Sequence, residues 1–187
     1  WQDLMEKEPV RFFEEIVPSA LVESRKAIAK LVNCHYDDLA LIENATTGVN
    51  TILRSLEFKP GDEILVPTHA YQACKNAIDY VANKWSAVVV VCEIPFHDIT
   101  EEIILNNIMS CVSQKTKLAL IDTVTSPTGL KMPFEILVKS LESKGINVLL
   151  DAAHGIGMLP LNLEDLGASF TTSNCHKWLC APKGTAF

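Results

Sequence analysis

Three kinds of feature are scarce or missing in the sequence, and each absence excludes a class of protein. None of the six cysteines pairs with another as CxxC, which excludes a zinc ribbon and a thioredoxin-type redox motif. Lysine and arginine number 16 against 23 acidic residues and form no stripe, so we expect no nucleic-acid partner. No apolar run reaches the roughly 18 residues that a membrane span needs, so we expect no membrane partner either.

The residues that are present predict one large folded domain, or one domain and a fragment. The chain has 187 residues, of which 48% are hydrophobic, and its formal net charge is −7. A chain of this length buries about 70% of its unfolded surface, which excludes a disordered chain. The cysteines lie mostly in apolar runs and the first residues show no signal-peptide pattern, so we expect a cytoplasmic protein. No Met stands first, and residues 184–187 resemble the start of a strand, so we expect a chain cut at both ends.

Short β-branched runs alternate with longer segments of helical period along the chain. This alternation predicts βαβ units around a mostly parallel sheet, which is an α/β fold. The predicted strands are residues 39–42, 63–66, 87–92, 118–122 and 147–151, and one through Phe170. The predicted helices are residues 19–32, one after 44–47, 70–83, 98–111, 133–144 and 163–166.

Two local patterns make more specific predictions. The apolar run from Ala87 to Cys92 is typical of a parallel strand that is covered on both faces. Asp98, with Glu101 three residues later, suits a capping box. We therefore expect Asp98 to cap the helix that follows it.

Four polar clusters follow predicted strands, at residues 44–47, 69–71, 151–154 and 174–177. Each cluster alone is more simply explained as a polar loop that closes a strand. Together they favour a ligand site, because ligands of open α/β sheets bind at the carboxyl ends of the strands. The expected partner is a small molecule or another protein.

Two of these clusters offer a charge or a group that binds charge. The segment Ala45-Thr46-Thr47 opens a helix, so its backbone N–H groups form either an anion site or a simple helix cap. Asp151 ends a strongly apolar strand, where a carboxylate without a partner is costly to bury. It therefore needs a cationic or donor partner, either a protein arginine or a protonated ring nitrogen of a ligand.

The other two clusters offer an aromatic ring and an amine. His69 follows a strand end, where its ring either lies on a planar ligand or caps a helix, and Tyr71 is the alternative stacking residue. Lys177 precedes Trp178, and a lysine shielded from water loses its proton readily, as a Schiff-base amine requires. The simpler alternative is a solvated surface lysine. Lys183 competes for the same role, although its position better suits a turn.

Two other ligand classes have weaker support. Gly155-Ile156-Gly157 looks like the opening of a dinucleotide fingerprint, but Pro160 stands at the third glycine position. Asp151, His154 and His176 are metal-ligand types, yet neither an HExxH pair nor a compact carboxylate cluster accompanies them. We therefore expect no metal, and a metal-dependent hydrolase is only a third hypothesis.

Four segments of the sequence resemble class V aminotransferases, and most closely the isopenicillin N epimerase-like branch. They are Asn44–Thr47, Thr123–Gly129, Asp151–Gly155 and Asn174–Gly184. The resemblance covers nearly the whole chain and implies a pyridoxal-phosphate-dependent enzyme of the type I fold. That fold has a three-layer α/β/α large domain, and we expect the C-terminal small domain of the class to be missing from this chain. Residues 1–35 are then an N-terminal helical segment, and residues 36–187 are a partial cofactor-binding large domain, truncated after the cofactor lysine.

The resemblance also implies a role for each candidate site residue. Lys177 matches the lysine that forms the internal aldimine and then moves the Cα proton, and Asp151 matches the carboxylate that keeps the pyridine nitrogen protonated. His69 matches the residue stacked on the ring, and His154 matches the neighbour that hydrogen-bonds the ring hydroxyl. The implied catalytic residues are Lys177, Asp151 and His69. The other cofactor-binding residues, near the phosphate or the ring oxygen, are Ala45, Thr46, Ser126, Asn174 and His176.

The reaction that the resemblance implies is transamination, epimerisation or carbon–sulfur lysis. The substrate is a small-molecule amino acid, and the full-length form is expected to be a homodimer whose sites borrow residues from the partner. The arginine that grips the substrate carboxylate in this class belongs to the missing small domain. The alternative hypothesis is a truncated, non-catalytic protein of the same fold that acts as a binding or regulatory partner.

Overall fold

A five-stranded sheet forms the centre of the computed structural model, which describes residues 1–187. The strands are β1 (Glu63–Pro67), β2 (Val88–Cys92), β3 (Thr116–Asp122), β4 (Asn147–Asp151) and β5 (Phe170–Thr172). Their order across the sheet is β2-β1-β3-β4-β5, and every neighbouring pair is parallel. The predicted α/β fold with a mostly parallel sheet is confirmed.

Helices precede the first strand and connect the others. They are α1 (Gln2–Lys7), α2 (Pro9–Arg11), α3 (Val17–Val32), α4 (Ala45–Ser55), α5 (Gln72–Trp85), α6 (Glu101–Ser110), α7 (Phe134–Glu142) and α8 (Leu163–Leu166). A π-helical segment, Phe12–Ile16, joins α2 to α3, and a 3₁₀ turn, Tyr36–Asp38, follows α3. None of these helices combines the length and the apolar character needed to cross a membrane.

Both faces of the sheet are covered, because successive residues of a strand point to opposite faces. Leu118 and Leu120 of β3 pack with α4 and α5 in a cluster of 14 buried residues. Ala119 and Ile121 pack with α3, α6 and α7 in a second cluster of 24 buried residues. The result is the expected three-layer α/β/α arrangement, to which each fully buried Leu or Ile contributes about 1.5–3 kcal/mol.

β2 is not covered on both faces, so that prediction was wrong. The strand lies at the edge of the sheet and pairs only with β1. Val88 and Val91 are 48% and 50% exposed, while Cys92 is fully buried. A continuous apolar run does not distinguish an edge strand from a central one, because the order of strands depends on segments far away along the chain.

Asp98 does not cap α6, so the capping-box prediction was also wrong. The helix begins at Glu101 with Thr100 as its N-cap, and Thr100 Oγ1 accepts the Ile103 N–H at 3.2 Å. Asp98 instead has a φ of 55°, in the left-handed region of a turn. Thr100 replaces it because it offers the same kind of acceptor two residues later, in the extended conformation that an N-cap adopts.

The predicted strand at residues 39–42 is reduced to a single bridge. Ile42 pairs antiparallel with Ala186, and Ala186 also bridges to Asn174. The N–H groups of Ile42 and Ala186 each donate to the carbonyl oxygen of the other at 2.9 Å. These bonds hold the loop before α4 beside the loop after β5, at the carboxyl edge of the sheet.

Candidate functional site

A small cavity lies at the carboxyl edge of the sheet, where β3, β4 and β5 end and α4 begins. Its lining residues come from separate loops and strand ends. They are Ala45, Thr46, Tyr71, Asp122, Ser126, Asp151, Ala153, His154, Asn174 and Lys177. Seven of the nine predicted site residues are in this set, and His69 and His176 are not. The parallel sheet therefore brings most of the polar clusters to one place.

A larger cavity, of about 700 Å³, lies along the free edge of β5. Ile42, Gly48 and Phe170 are among its lining residues, half of which are hydrophobic. None of the predicted site residues lines it. We therefore take the smaller cavity, which holds the amine and both buried carboxyl groups, as the candidate active site.

Two buried carboxyl groups end neighbouring strands in this site. Asp122 is the last residue of β3 and Asp151 is the last of β4, and the two are direct partners in the parallel register. Asp151 Oδ1 accepts the Ala153 N–H at 2.9 Å, and Oδ2 accepts from the Cys74 thiol at 3.5 Å. Asp122 Oδ2 is buried and has no hydrogen-bond partner. The donors in this region therefore support a negative charge on Asp151 rather than on Asp122.

The electrostatics of the two carboxyl groups agree with this difference. Burial raises the pKa of Asp151, while the Ala153 N–H, the Cys74 thiol and the Lys177 charge oppose the rise. The pKa of Asp122 is raised well above its usual range by burial and by the charge of Asp151. Because two adjacent buried carboxyl groups do not both ionise readily, Asp122 keeps the proton and Asp151 carries the charge. Burial also raises the pKa of the Cys74 thiol, which therefore stays a protonated donor.

Lys177, His154 and Trp178 form a hydrogen-bonded group at the rim of the cavity. Lys177 Nζ lies 3.0 Å from His154 Nε2, and the Trp178 indole N–H donates to His154 Nδ1 at 2.9 Å. Burial lowers the pKa of Lys177, although the charge of Asp151 opposes this shift. The pKa of His154 is also lowered, by burial and by the Lys177 charge. The shift of Lys177 favours the neutral form that a nucleophilic amine requires.

The first turn of α4 is the part of the cavity suited to an anion. Asn44 is the N-cap, and its Oδ1 accepts the Thr47 N–H at 2.8 Å. The Ala45 N–H donates to Asn174 Oδ1, also at 2.8 Å, which ties the loop after β5 to the start of the helix. The Thr46 N–H has no acceptor within the protein, and Thr46 lines the cavity. This free N–H and the positive end of the helix dipole can therefore bind a negatively charged group.

His69 is buried outside the cavity and bonded on both ring nitrogens. Nε2 donates to the Ile94 carbonyl oxygen at 3.0 Å, and Nδ1 lies 3.0 Å from Thr128 Oγ1. Its ring packs against Phe96 with the ring centroids 4.5 Å apart. Tyr71, the alternative stacking residue from the sequence, lines the cavity instead.

His176 supports the loop that carries Lys177. Its Nδ1 donates to the Thr185 carbonyl oxygen at 2.8 Å, and its backbone N–H donates to the same oxygen at 3.2 Å. Lys183 is exposed in a turn, as its sequence position indicated, and does not line the cavity. Of the two candidate lysines, only Lys177 reaches the site.

Sequence reasoning missed three contributors to the site. Asp122 ends an apolar strand as Asp151 does, and this shared pattern was a signal that could have identified it. Cys74 looked like a small buried residue, because its bond to Asp151 joins residues 77 positions apart. The Trp178 bond to His154 spans 24 positions and left no signal in the local pattern.

Comparisons with known proteins identify a family and several relatives to which the chain is similar. The family model described as "Aminotransferase class-V" matches residues 13–187. A probable chloroplastic L-cysteine desulfhydrase of Arabidopsis thaliana is 31% identical over 202 residues, covering 100% of this chain and 42% of the relative. The isopenicillin N epimerase of Streptomyces clavuligerus is 29% identical over 96% of this chain and 45% of its own length. The chain therefore spans less than half the length of these relatives.

Solved structures share the fold at low sequence identity. The cystine C-S lyase C-DES, in complex with cysteine persulfide, has a TM-score of 0.83 at 21% identity, covering 92% of this chain and 46% of its own. A C-DES variant with glycine covalently linked to its PLP cofactor has a TM-score of 0.82 at 20% identity, covering 99% and 49%. The apo cysteine desulfurase of Thermococcus onnurineus NA1 has a TM-score of 0.79 at 22% identity, covering 89% and 41%.

Proposed function

The chain belongs to the aminotransferase class-V family, and from this membership we propose that it is the cofactor-holding domain of a pyridoxal-phosphate-dependent enzyme that acts on an amino acid. Lys177 is the residue that holds the cofactor covalently. One observation carries the proposal: an amine with a lowered pKa, a buried carboxylate and an open helix N-terminus line the same small cavity. These are the three groups that this cofactor requires.

The residues present fit the phosphate group of the cofactor. Thr46 offers a free backbone N–H and a hydroxyl at the positive end of α4. Asn174 accepts from Ala45, so it fixes the position of the helix start relative to the loop of Lys177. His176 fixes the same loop from the other side through Thr185. We assign Ala45, Thr46, Asn174 and His176 to the phosphate end of the site on these grounds.

The residues present also fit the ring of the cofactor. Asp151 is a buried carboxylate whose two oxygens are already oriented by Ala153 and Cys74. Such a group holds the proton on a pyridine nitrogen, because the ion pair replaces the solvation that burial removes. When bound, the cofactor supplies an electron sink for the carbanion that forms at the substrate Cα. His154 and Ser126 are assigned to the ring oxygen. For the ring face the resemblance gives His69, but Tyr71 is the one of the two stacking candidates that lines the cavity.

Lys177 moves the substrate proton in this proposal. Its lowered pKa makes the free amine easier to form beside His154, and a free Nζ can accept a proton from the Cα atom of the amino acid. His154 keeps that amine in place through a 3.0 Å contact. The reaction that follows is transamination, epimerisation or carbon–sulfur lysis. Carbon–sulfur lysis is the first to test, since desulfhydrases and a C-S lyase are among the similar proteins.

The quaternary structure and location of the whole enzyme belong to the same proposal. We expect a homodimer in the full-length form and a cytoplasmic location. The substrate is a small amino acid, with neither nucleic acid nor membrane as a partner. Residues 36–187 form the cofactor-binding part and residues 1–35 form a helical segment before it.

Covalent capture of the cofactor tests the assignment of Lys177. The protein is incubated with pyridoxal phosphate, reduced with borohydride and digested, and the modified peptide is identified by mass spectrometry. We expect the adduct on Lys177, its loss in Lys177→Ala, and its retention in the matched control Lys183→Ala. An adduct on Lys183, or no adduct, would contradict the assignment.

Turnover distinguishes the enzyme from the non-catalytic alternative. Cysteine, cystine and other amino acids are supplied with the cofactor, and sulfide, keto acid and loss of optical activity are followed. Turnover of any of these amino acids excludes a purely binding or regulatory role. Captured cofactor without turnover supports that role.

A further inference from the structure

The geometry around His154 points to Trp178 as a positioning residue: its indole N–H sets the ring tautomer of His154, so that an N–H group faces Lys177 Nζ and holds the amine neutral. This inference rests on the proposed function only for the role of Lys177. The proton positions themselves follow from the hydrogen-bond partners. Trp178 therefore acts on the reactive lysine through His154, without a direct bond to it.

The proton positions can be derived in two steps. The Trp178 indole is a donor only, so the His154 Nδ1 that accepts from it at 2.9 Å has no proton. A neutral imidazole then carries its proton on Nε2, which lies 3.0 Å from Lys177 Nζ. An Nε2–H group needs a lone pair as its acceptor, and an ammonium group has none. The contact is therefore a hydrogen bond only when Lys177 is a free amine.

The turn after β4 approaches the backbone of Trp178 closely. Gly157 has a φ of 81°, and a Cβ built on it would lie 2.6 Å from the carbonyl carbon and oxygen of Trp178. The turn after β4 and the loop after β5 are therefore in direct backbone contact at Trp178. The Cys180 N–H closes the same loop on the Lys177 carbonyl oxygen at 3.2 Å. Gly157, which at first resembled part of a dinucleotide motif, serves this close approach.

The surroundings of Lys177 shift its pKa in both directions. Burial lowers the pKa of Lys177, and Asp151 and Cys74 oppose the shift. Asp122 lies beside Asp151, and the charge of Lys75 opposes the rise of its pKa. Asp122 therefore acts on Lys177 only indirectly, through Asp151. The hydrogen bond from His154 acts in the same direction as burial. Removal of the indole N–H therefore raises the pKa of Lys177.

Peptide-resolved labelling of amines as a function of pH tests the inference in cofactor-free protein. We expect the labelling midpoint of Lys177 to rise by about one pH unit in Trp178→Phe, a roughly tenfold fall in the free-amine fraction below the midpoint. Trp85→Phe, at the end of α5 and outside the cavity, is the matched control and leaves the midpoint unchanged. An unchanged midpoint in Trp178→Phe would overturn the inference.

Nitrogen-15 spectra of the unmodified protein give a second readout that needs no variant. We expect an unprotonated Nδ1 and a protonated Nε2 on His154, and a change in this pattern in Trp178→Phe. A protonated Nδ1 in the unmodified protein would refute the tautomer assignment. Neither measurement uses pyridoxal phosphate, so a failed capture at Lys177 would overturn the proposed function and leave these two results to decide on Trp178.

Discussion

His69 and His154 have the same tautomer, with the proton on Nε2, but their hydrogen-bond partners differ. His69, in the loop after β1, donates from Nε2 to a backbone carbonyl and accepts from the Thr128 hydroxyl. His154, after β4, accepts from the Trp178 indole and faces Lys177 with Nε2. The first ring is bonded to groups that do not titrate, so it fastens loops together. The second ring is bonded to an amine that does titrate, so the hydrogen bond and the charge state depend on each other.

The largest expected difference between the two regions is in stability. His69→Ala removes a buried ring and leaves a carbonyl group and a hydroxyl group unpaired, so we expect a loss of about 3 kcal/mol in the free energy of unfolding. Urea denaturation measures it. A loss below about 1 kcal/mol would show that the ring does not fasten these loops.

A smaller effect, of opposite sign, is expected at the carboxyl group beside Asp151. Burial raises the pKa of Asp122 above its unfolded value, so its contribution to stability is complete in acid and is lost as the pH rises. Asp122→Asn removes this titration, because an amide is neutral without binding a proton. We therefore expect the variant to be more stable than the parent by about 1–3 kcal/mol at pH 7.

This difference should disappear in acid. Below about pH 3.9, where an unfolded aspartate is protonated, parent and variant should unfold at the same urea concentration. Asp79→Asn, at an exposed position of α5, is the control and should show no such pH-dependent gain. A constant difference at every pH would mean that Asp122 does not titrate as inferred.

A third prediction concerns the hydroxyl that completes the bonding of His69. Thr128→Val keeps the shape of the side chain but leaves Nδ1 of the buried ring without a donor. We expect a loss of about 1 kcal/mol in the free energy of unfolding, measured by urea denaturation. The exposed hydroxyl of Thr51 offers a control, and Thr51→Val should cost less. Equal effects would show that the Thr128 bond adds nothing.

The smallest effect on stability is expected at the second histidine. His154→Ala removes a half-buried ring at the rim of the cavity, so we expect a loss of only about 0.5 kcal/mol. The same variant should raise the labelling midpoint of Lys177, because the amine loses a hydrogen-bond donor. Replacing His69 is thus expected to change mainly the stability, and replacing His154 mainly the titration of Lys177. A large loss of stability in His154→Ala, with no change in the labelling midpoint of Lys177, would contradict this contrast between the two histidines.

The sequence alone determined the alternation of strands and helices and the polar character of the strand ends. These are local properties, because the period of apolar residues and the residue after a strand are set by neighbours along the chain. Asp151 and Lys177 were therefore recognisable from the sequence, and both line the cavity. The first turn of α4 was recognisable for the same reason.

Only the tertiary structure decided which of these groups meet and how they share protons. The order of the strands places β2 at the edge and Asp122 beside Asp151, and no local pattern carries that order. The bonds of Trp178 to His154 and of Cys74 to Asp151 join segments 24 and 77 residues apart. A proton is positioned by atoms within about 3 Å, and folding alone brings such distant residues to that separation.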